Sequence, residues 1–418
     1  MTLKRVVVTG IGAITPLGNN LNDYWTNLVN GVSGANLITL FDASKFKTRF
    51  ACELKNFDPL NYLDKKEARK LDRFAQTAIA ASDEAVKDAG IGEGANLNND
   101  RIGVVFASGI GGLITFSEEV ANFAKGDGTP RFNPFFIPKM ILDIAAGHIS
   151  MRHSFRGPNF SVVSACASST NALMEAFNLI RLGKADIILT GGSESVVSEA
   201  GVGGFNAMKA LSERNEDFQT ASRPYDNDRD GFVMGEGAGC LILEELEHAK
   251  KRGAKIYAEV AGSGATADAY HITAPHPEGL GAKNVMFAAL EDAGMATTDI
   301  DYINTHGTST PLGDVAEVKA ITDVFGDHAY KMNISSTKSM TGHCLGAAGV
   351  VEAIACIMAV KDDVVPPTIN HFTDDPNLDD RLNFTFEKAQ KRTVNAALSN
   401  TFGFGGHNAC VIVKKYQH

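Results

Sequence analysis

The sequence predicts an α/β protein made of two related halves. Short Val/Ile-rich runs alternate with longer Ala-rich segments along the chain, and one strand-to-helix pattern occurs twice. In the first half the apolar runs fall at residues 5–9, 102–107, 160–164, 186–190 and 240–243. Apolar residues recur at helical spacing over 71–89 and 168–182, which predicts helices there. A basic stretch at 248–255 precedes a second series of strands at 256–261, 302–305, 333–336 and 397–400. The boundary is therefore expected near residue 253, giving halves 1–253 and 254–418.

Residues 160–182, around Cys166, and 333–360, around His343, both read as a strand, small polar residues and an Ala-rich helix. If the halves are related by a pseudo-two-fold axis, the two helix starts lie side by side and Cys166 meets His343. No linker rich in Pro, Gly or Ser divides the chain, so a single fused core is expected.

Composition narrows the function classes. With 418 residues and 44% hydrophobic content the chain has enough apolar surface for a large core. The formal charge of −10 argues against a general nucleic-acid binder, whose affinity needs a dominant basic surface. Six cysteines without a CxxC pair read as reduced thiols of a cytoplasmic protein. Lys4 and Arg5 before an apolar run imitate a signal peptide, but Thr9, Gly10 and Gly12 interrupt that run, which reads as a first strand. Residues 344–360 are the most apolar long segment; Glu352 and the Ala/Gly content make them a buried helix rather than a membrane span.

Three residues stand out chemically. Cys166, in Ser164-Ala-Cys-Ala-Ser-Ser-Thr170, sits where a strand gives way to a helix, and unpaired amides at a helix start favour a thiolate. An isolated cysteine is more commonly a small buried hydrophobe. His306, in Asn304-Thr-His-Gly-Thr-Ser-Thr310, and His343, in Ser339-Met-Thr-Gly-His343, each follow a strand. A neutral imidazole can donate to a thioester carbonyl or to its enolate. Either histidine alone reads as a hydrogen-bonded core residue; with Cys166 the three read as a site.

Other signals lack their markers. Gly10-Ile-Gly12, Gly262-Ser-Gly264 and Gly235-Glu-Gly237-Ala-Gly239 do not complete GxGxxG, and GxxxxGK[ST] and GxSxG do not occur. Asp268, His271 and His276 fit no standard metal spacing. Gly403-Phe404-Gly-Gly406 could bring backbone amides to a reacting oxygen.

These motifs in this order resemble the β-ketoacyl-acyl-carrier-protein synthases along the whole chain. The blocks that carry the resemblance are Val163-Ser-Ala-Cys166, Asn304-Thr-His-Gly-Thr-Ser-Thr-Pro311, Ser336-Thr-Lys-Ser-Met-Thr-Gly-His343 and Gly403-Phe-Gly-Gly406. Ser222-Arg-Pro-Tyr-Asp226 and Asp230-Gly-Phe-Val-Met-Gly235 support them. The resemblance implies a thiolase-like fold, with duplicated halves forming a five-layered αβαβα core. It implies decarboxylative Claisen condensation of a malonyl unit with an acyl chain held on Cys166, assisted by His306 and His343, without a cofactor or metal.

The Cys166 and Phe404 amides would form an oxyanion hole, Lys338 and Glu352 would hold the histidine region, and Thr308 and Thr310 would touch the carrier's pantetheine arm. Ile110, Phe135, Phe136 and Phe205 would line the acyl pocket. Lys66, Arg69, Lys70 and Lys209 would dock an acidic acyl carrier protein, and a homodimer is implied. Cys344 reads as a packing residue rather than the second active-site cysteine of a thiolase. A stand-alone polyketide ketosynthase and a catalytically silent ketosynthase-like subunit remain as alternatives.

Overall fold

A computed structural model describes residues 3–417. Its main sheet has ten strands: β1 (Val6–Ile14), β2 (Ile102–Ala107), β3 (Asn159–Phe160), β4 (Ile187–Glu194), β5 (Gly237–Glu245), β6 (Ala258–Ala267), β7 (Tyr302–Asn304), β8 (Asn333–Ser335), β9 (Ala396–Gly403) and β10 (His407–Lys414). They lie in the order β8-β7-β9-β10-β6-β1-β5-β4-β2-β3.

Split between β6 and β1, this order is one pattern used twice. The five strands of each half, ranked along the chain, stand as third, second, fourth, fifth, first. In both halves the first three strands in that spatial order are parallel, and the fourth pairs antiparallel with both the third and the fifth. The two sheets join where Val6–Val8 pair antiparallel with Ala258–Val260.

Helices repeat with the strands. Helix α1 (Arg73–Ala89) packs on β1 and β5, and α4 (Leu280–Ala293) packs equivalently on β6 and β10; helix α2 (Leu113–Lys125) is an excursion of the first half. Helix α3 (Ser168–Arg181) precedes β4, and α6 (Ala348–Asp362) precedes β9 at the corresponding place; α5 (Pro311–Phe325) packs beside α4. Because α3 and α6 meet between the sheets, the layers run α1, sheet, α3 with α6, sheet, α4 with α5. This is the five-layered arrangement that the resemblance implies.

The incomplete glycine motifs now have a packing reason. A Cβ on Gly12 would stand 1.9 Å from the Ala81 carbonyl oxygen of α1, and one on Gly264 would stand 2.5 Å from the Val285 carbonyl oxygen of α4. Each glycine lets a strand approach its covering helix closely. In α6 every residue from Ala348 to Val360 is buried, as befits a helix enclosed on all sides. Among the described residues no helix is long and apolar enough to cross a membrane.

The predicted strand at 160–164 shortens to Asn159–Phe160. Beyond it the chain turns to present Cys166: Ala165 has φ +52°, the Ser168 hydroxyl donates to the Ala165 carbonyl at 2.6 Å, and Asn171 donates to the Ser164 hydroxyl at 2.6 Å. A non-glycine residue in the left-handed region is strained, and local side-chain bonds hold it there.

Candidate active site

The helix starts bring the two halves together. A Cβ on Gly349 would lie 2.0 Å from Thr170 Oγ1, and the Val350 amide donates to the Ser169 hydroxyl at 3.0 Å. The first turn of α6 thus rests on the first turn of α3, and Cys166 and His343 precede those turns.

His343 Nε2 lies 3.2 Å from Cys166 Sγ. The Leu345 amide donates to His343 Nδ1 at 3.3 Å, so the neutral ring carries its proton on Nε2, aimed at the sulfur. The His306 ring stands edge-on to His343, with ring centroids 5.2 Å apart. Burial, reinforced by the nearby Lys338 ammonium, holds both imidazoles well below the usual histidine range. Both therefore remain neutral donors at neutral pH.

Sequence alone favoured a thiolate at Cys166. The structure differs: burial pushes the thiol up to about 12, although Lys338 and a hydrogen bond from the Phe404 amide oppose it. Helix α3 begins two residues later, at Ser168, and desolvation outweighs its amides. Burial thus favours the protonated thiol over the thiolate.

Each motif block has a mechanical task. The His343 amide donates to the Val233 carbonyl at 2.7 Å and the Gly235 amide to the His343 carbonyl at 2.9 Å, so Asp230–Gly235 splints the histidine loop. Arg229, buried, donates to the Thr310 and Pro311 carbonyls and to Asp375, while the Arg223 amide donates to the Ser309 hydroxyl. These bonds fix the loop bearing Thr308 and Thr310, whose hydroxyls are 3.0 Å apart. Lys338 and Glu352 form a buried ion pair. Burial pushes the Glu352 carboxyl up to about 7 against the pull of Lys338.

A cavity of about 510 Å³ joins these groups. Its wall includes Cys166, His306, His343, Phe404, Thr308 and Thr310, together with Ile110, Phe205 and Lys209. Lys338 and Glu352 lie behind this wall. Phe135 and Phe136 stand outside it: Phe136 packs with Phe116 and Phe132 in a cluster on the outer surface, and Lys70 lies over the Phe135 ring. Lys66 lies on the short helix Lys65–Ala68 and Arg69 and Lys70 directly follow it; all three are exposed, away from the cavity lining. Cys344 is buried, with its sulfur toward the Glu236 carbonyl, and does not line the cavity.

Two buried carboxylates escaped the sequence reading. Glu317 accepts the His306 and Gly307 amides at 2.9 and 2.8 Å, and burial pushes it up to about 7. Glu194 closes β4 and accepts amides from the loop after β2. A charged residue ending an apolar strand was the available signal for Glu194. Asp268 and His276, considered above as metal ligands, line the cavity instead.

Known proteins resemble the chain along its whole length. The beta-ketoacyl synthase N-terminal domain model matches residues 3–249, and the C-terminal domain model matches 257–372. The chain is 50% identical over 415 residues, 99% of both chains, to a protein of Staphylococcus aureus (strain COL) named 3-oxoacyl-[acyl-carrier-protein] synthase 2. It is 50% identical over 414 residues, again 99% of both, to a protein of the same name from Synechocystis sp.. A solved type II polyketide ketosynthase, in complex with its acyl-carrier protein and bound to a hexaketide, is similar with TM-score 0.91 and 32% identity, covering 99% of this chain and 100% of the other. With both domain models matched and half its residues shared with full-length relatives, this chain belongs to the beta-ketoacyl synthase family.

Proposed function

We propose that the chain is a 3-oxoacyl-[acyl-carrier-protein] synthase that elongates fatty acyl chains by two carbons. The observation that carries this reading is the Cys166–His343 contact beside His306 in one cavity. The full-length relatives of the same name support it.

In the first step Cys166 sulfur bonds to the acyl carbon, the carrier thioester breaks, and the thiol proton passes to the released carrier thiol. A malonyl carrier then binds. Its carboxylate leaves as carbon dioxide and the bonding electrons form an enolate, whose oxygen receives hydrogen bonds from the His306 and His343 rings. The enolate carbon attacks the acyl carbon, and the oxyanion that forms is held by the Cys166 and Phe404 amides. Cys166 departs and regains a proton, leaving a β-ketoacyl carrier. Lys338 and Glu352 hold the histidine region, Thr308 and Thr310 take the pantetheine arm, and Ile110 and Phe205 face the acyl chain.

Lys66, Arg69, Lys70 and Lys209 form the dock for an acidic carrier, a local positive surface on a chain of net charge −10. The ketosynthase solved with its carrier supports a carrier partner. A homodimer fits the sheet edge: β3 is terminal, and its Phe160 and the nearby Val163 are exposed, as are Phe116, Val120 and Phe123. Phe135 and Phe136 belong with this surface. Six free, buried cysteines are in keeping with a cytoplasmic enzyme.

Incubation with malonyl carrier and saturated acyl carriers of graded length tests the reading. The expected products are carbon dioxide and carriers bearing β-ketoacyl chains two carbons longer. Failure to elongate any saturated primer, with turnover of a poly-β-ketone chain, would replace it with a polyketide ketosynthase.

A further inference from the structure

Glu194 is fully buried at the end of β4, and among the described residues it forms no ion pair with a basic side chain. Its charge is met by hydrogen-bond donors alone. Oε1 accepts the Ser108 hydroxyl at 2.8 Å and the Ile110 and Gly111 amides at 3.1 Å. Oε2 accepts the Gly109 amide at 2.8 Å and, from the other half of the protein, the Gly346 amide at 3.1 Å.

Those donors belong to two functional segments. Residues 108–111 carry Ile110, whose side chain faces the cavity, and Gly346 follows three residues after His343. The segments touch: a Cβ on Gly346 would stand 2.2 Å from the Gly109 nitrogen, and a Cβ on Gly109 would stand 2.7 Å from Glu194 Oε2. Four backbone amides and a hydroxyl converging on an acceptor-only group make a latch that no neutral isostere reproduces, because an amide would turn an NH₂ toward N–H donors.

We propose that Glu194 is a positioning residue that latches the Ile110 loop to the segment after His343 and thereby sets the enzyme's acyl-chain selectivity. Ile110 and Cys166 line the same cavity, and the Ile110 backbone is held by Glu194 rather than by a strand or helix. With the latch intact, the Ile110 wall keeps one position for every primer. Without it, the wall yields to different chains and discrimination falls.

This inference rests on the elongation reading above. The test measures kcat and KM for wild type and Glu194→Gln across saturated primers from butyryl to palmitoyl carrier, alongside thermal unfolding. The ratio of kcat/KM between the best and poorest primers is expected to fall by about tenfold or more, the order expected when a buried hydrogen bond to a charged group is lost. The change should lie mainly in the KM for the acyl primer, with the KM for malonyl carrier little altered. Ser108→Ala, which removes one donor and keeps the fold's packing, should move the profile in the same direction by a smaller factor.

Equal loss for every primer in both variants, or an unchanged profile in folded protein, would overturn the proposal while leaving the elongation reading intact. Absence of elongation in the wild type would instead overturn that reading, and this proposal with it.

Discussion

His343→Ala and His306→Ala are each expected to lower condensation by about 10²-fold or more, the range associated with loss of a positioned proton-transfer or hydrogen-bonding group. Both rings are kept neutral by burial and by Lys338, so their N–H groups can meet a developing enolate without first losing a proton to water. A buried donor aimed at developing charge is worth more than the same donor in solvent. Carbon dioxide release from malonyl carrier and formation of β-ketoacyl carrier should be followed separately. The His306→Ala enzyme should still take an acyl group onto Cys166. Full decarboxylation in both variants would remove the roles given to the histidines.

Gly349→Ala is the second large effect. Alanine favours a helix interior over glycine by about 1 kcal/mol, so intrinsic propensity predicts a small gain in stability. The contact decides otherwise: the new Cβ would sit 2.0 Å from Thr170 Oγ1 and 3.0 Å from the Thr170 nitrogen. Rotating the hydroxyl away leaves the backbone contact, so α3 and α6 must separate. Cys166 and His343 precede these helices on opposite halves, and a displacement of about 1 Å at a reacting centre can cost about 10²-fold in rate. The measured kcat should fall by that order in protein that still unfolds cooperatively. Wild-type turnover in the variant would show that the helix contact does not set the site's geometry.

The duplicated α/β pattern was legible because strands buried on both faces read as continuous apolar runs, as in 102–107, and the second half repeats the rhythm of the first. Cys166, His306 and His343 were legible because each follows such a run. The end of the strand before Cys166 was not, since Val162 and Val163 continue the apolar run while the turn depends on the hydroxyls and amide of Ser164, Ser168 and Asn171.

Glu194 and Glu317 were hidden for a related reason. Glu194 binds backbone amides of a loop far away in the chain and Glu317 binds those of the His306 loop just before its own helix, and backbone partners leave no trace in residue type. The thiolate expectation counted only the helix start, which is visible in sequence, whereas the desolvation that pushes the thiol up is a property of the assembled core. Phe135 and Phe136, chosen through the resemblance, lie outside the cavity of the single chain: Phe136 joins the aromatic cluster with Phe116 and Phe132, and the Phe135 ring lies under the Lys70 ammonium.

The most direct test is the intact mass of the chain after exposure to an acyl carrier thioester, without malonyl carrier. One acyl group should add to the wild type, none to Cys166→Ala, and the adduct should disappear when malonyl carrier is supplied. An acyl group on another residue, or an unmodified chain in the presence of a primer that it elongates, would contradict the central claim that one thiol from the first half works with two imidazoles from the second.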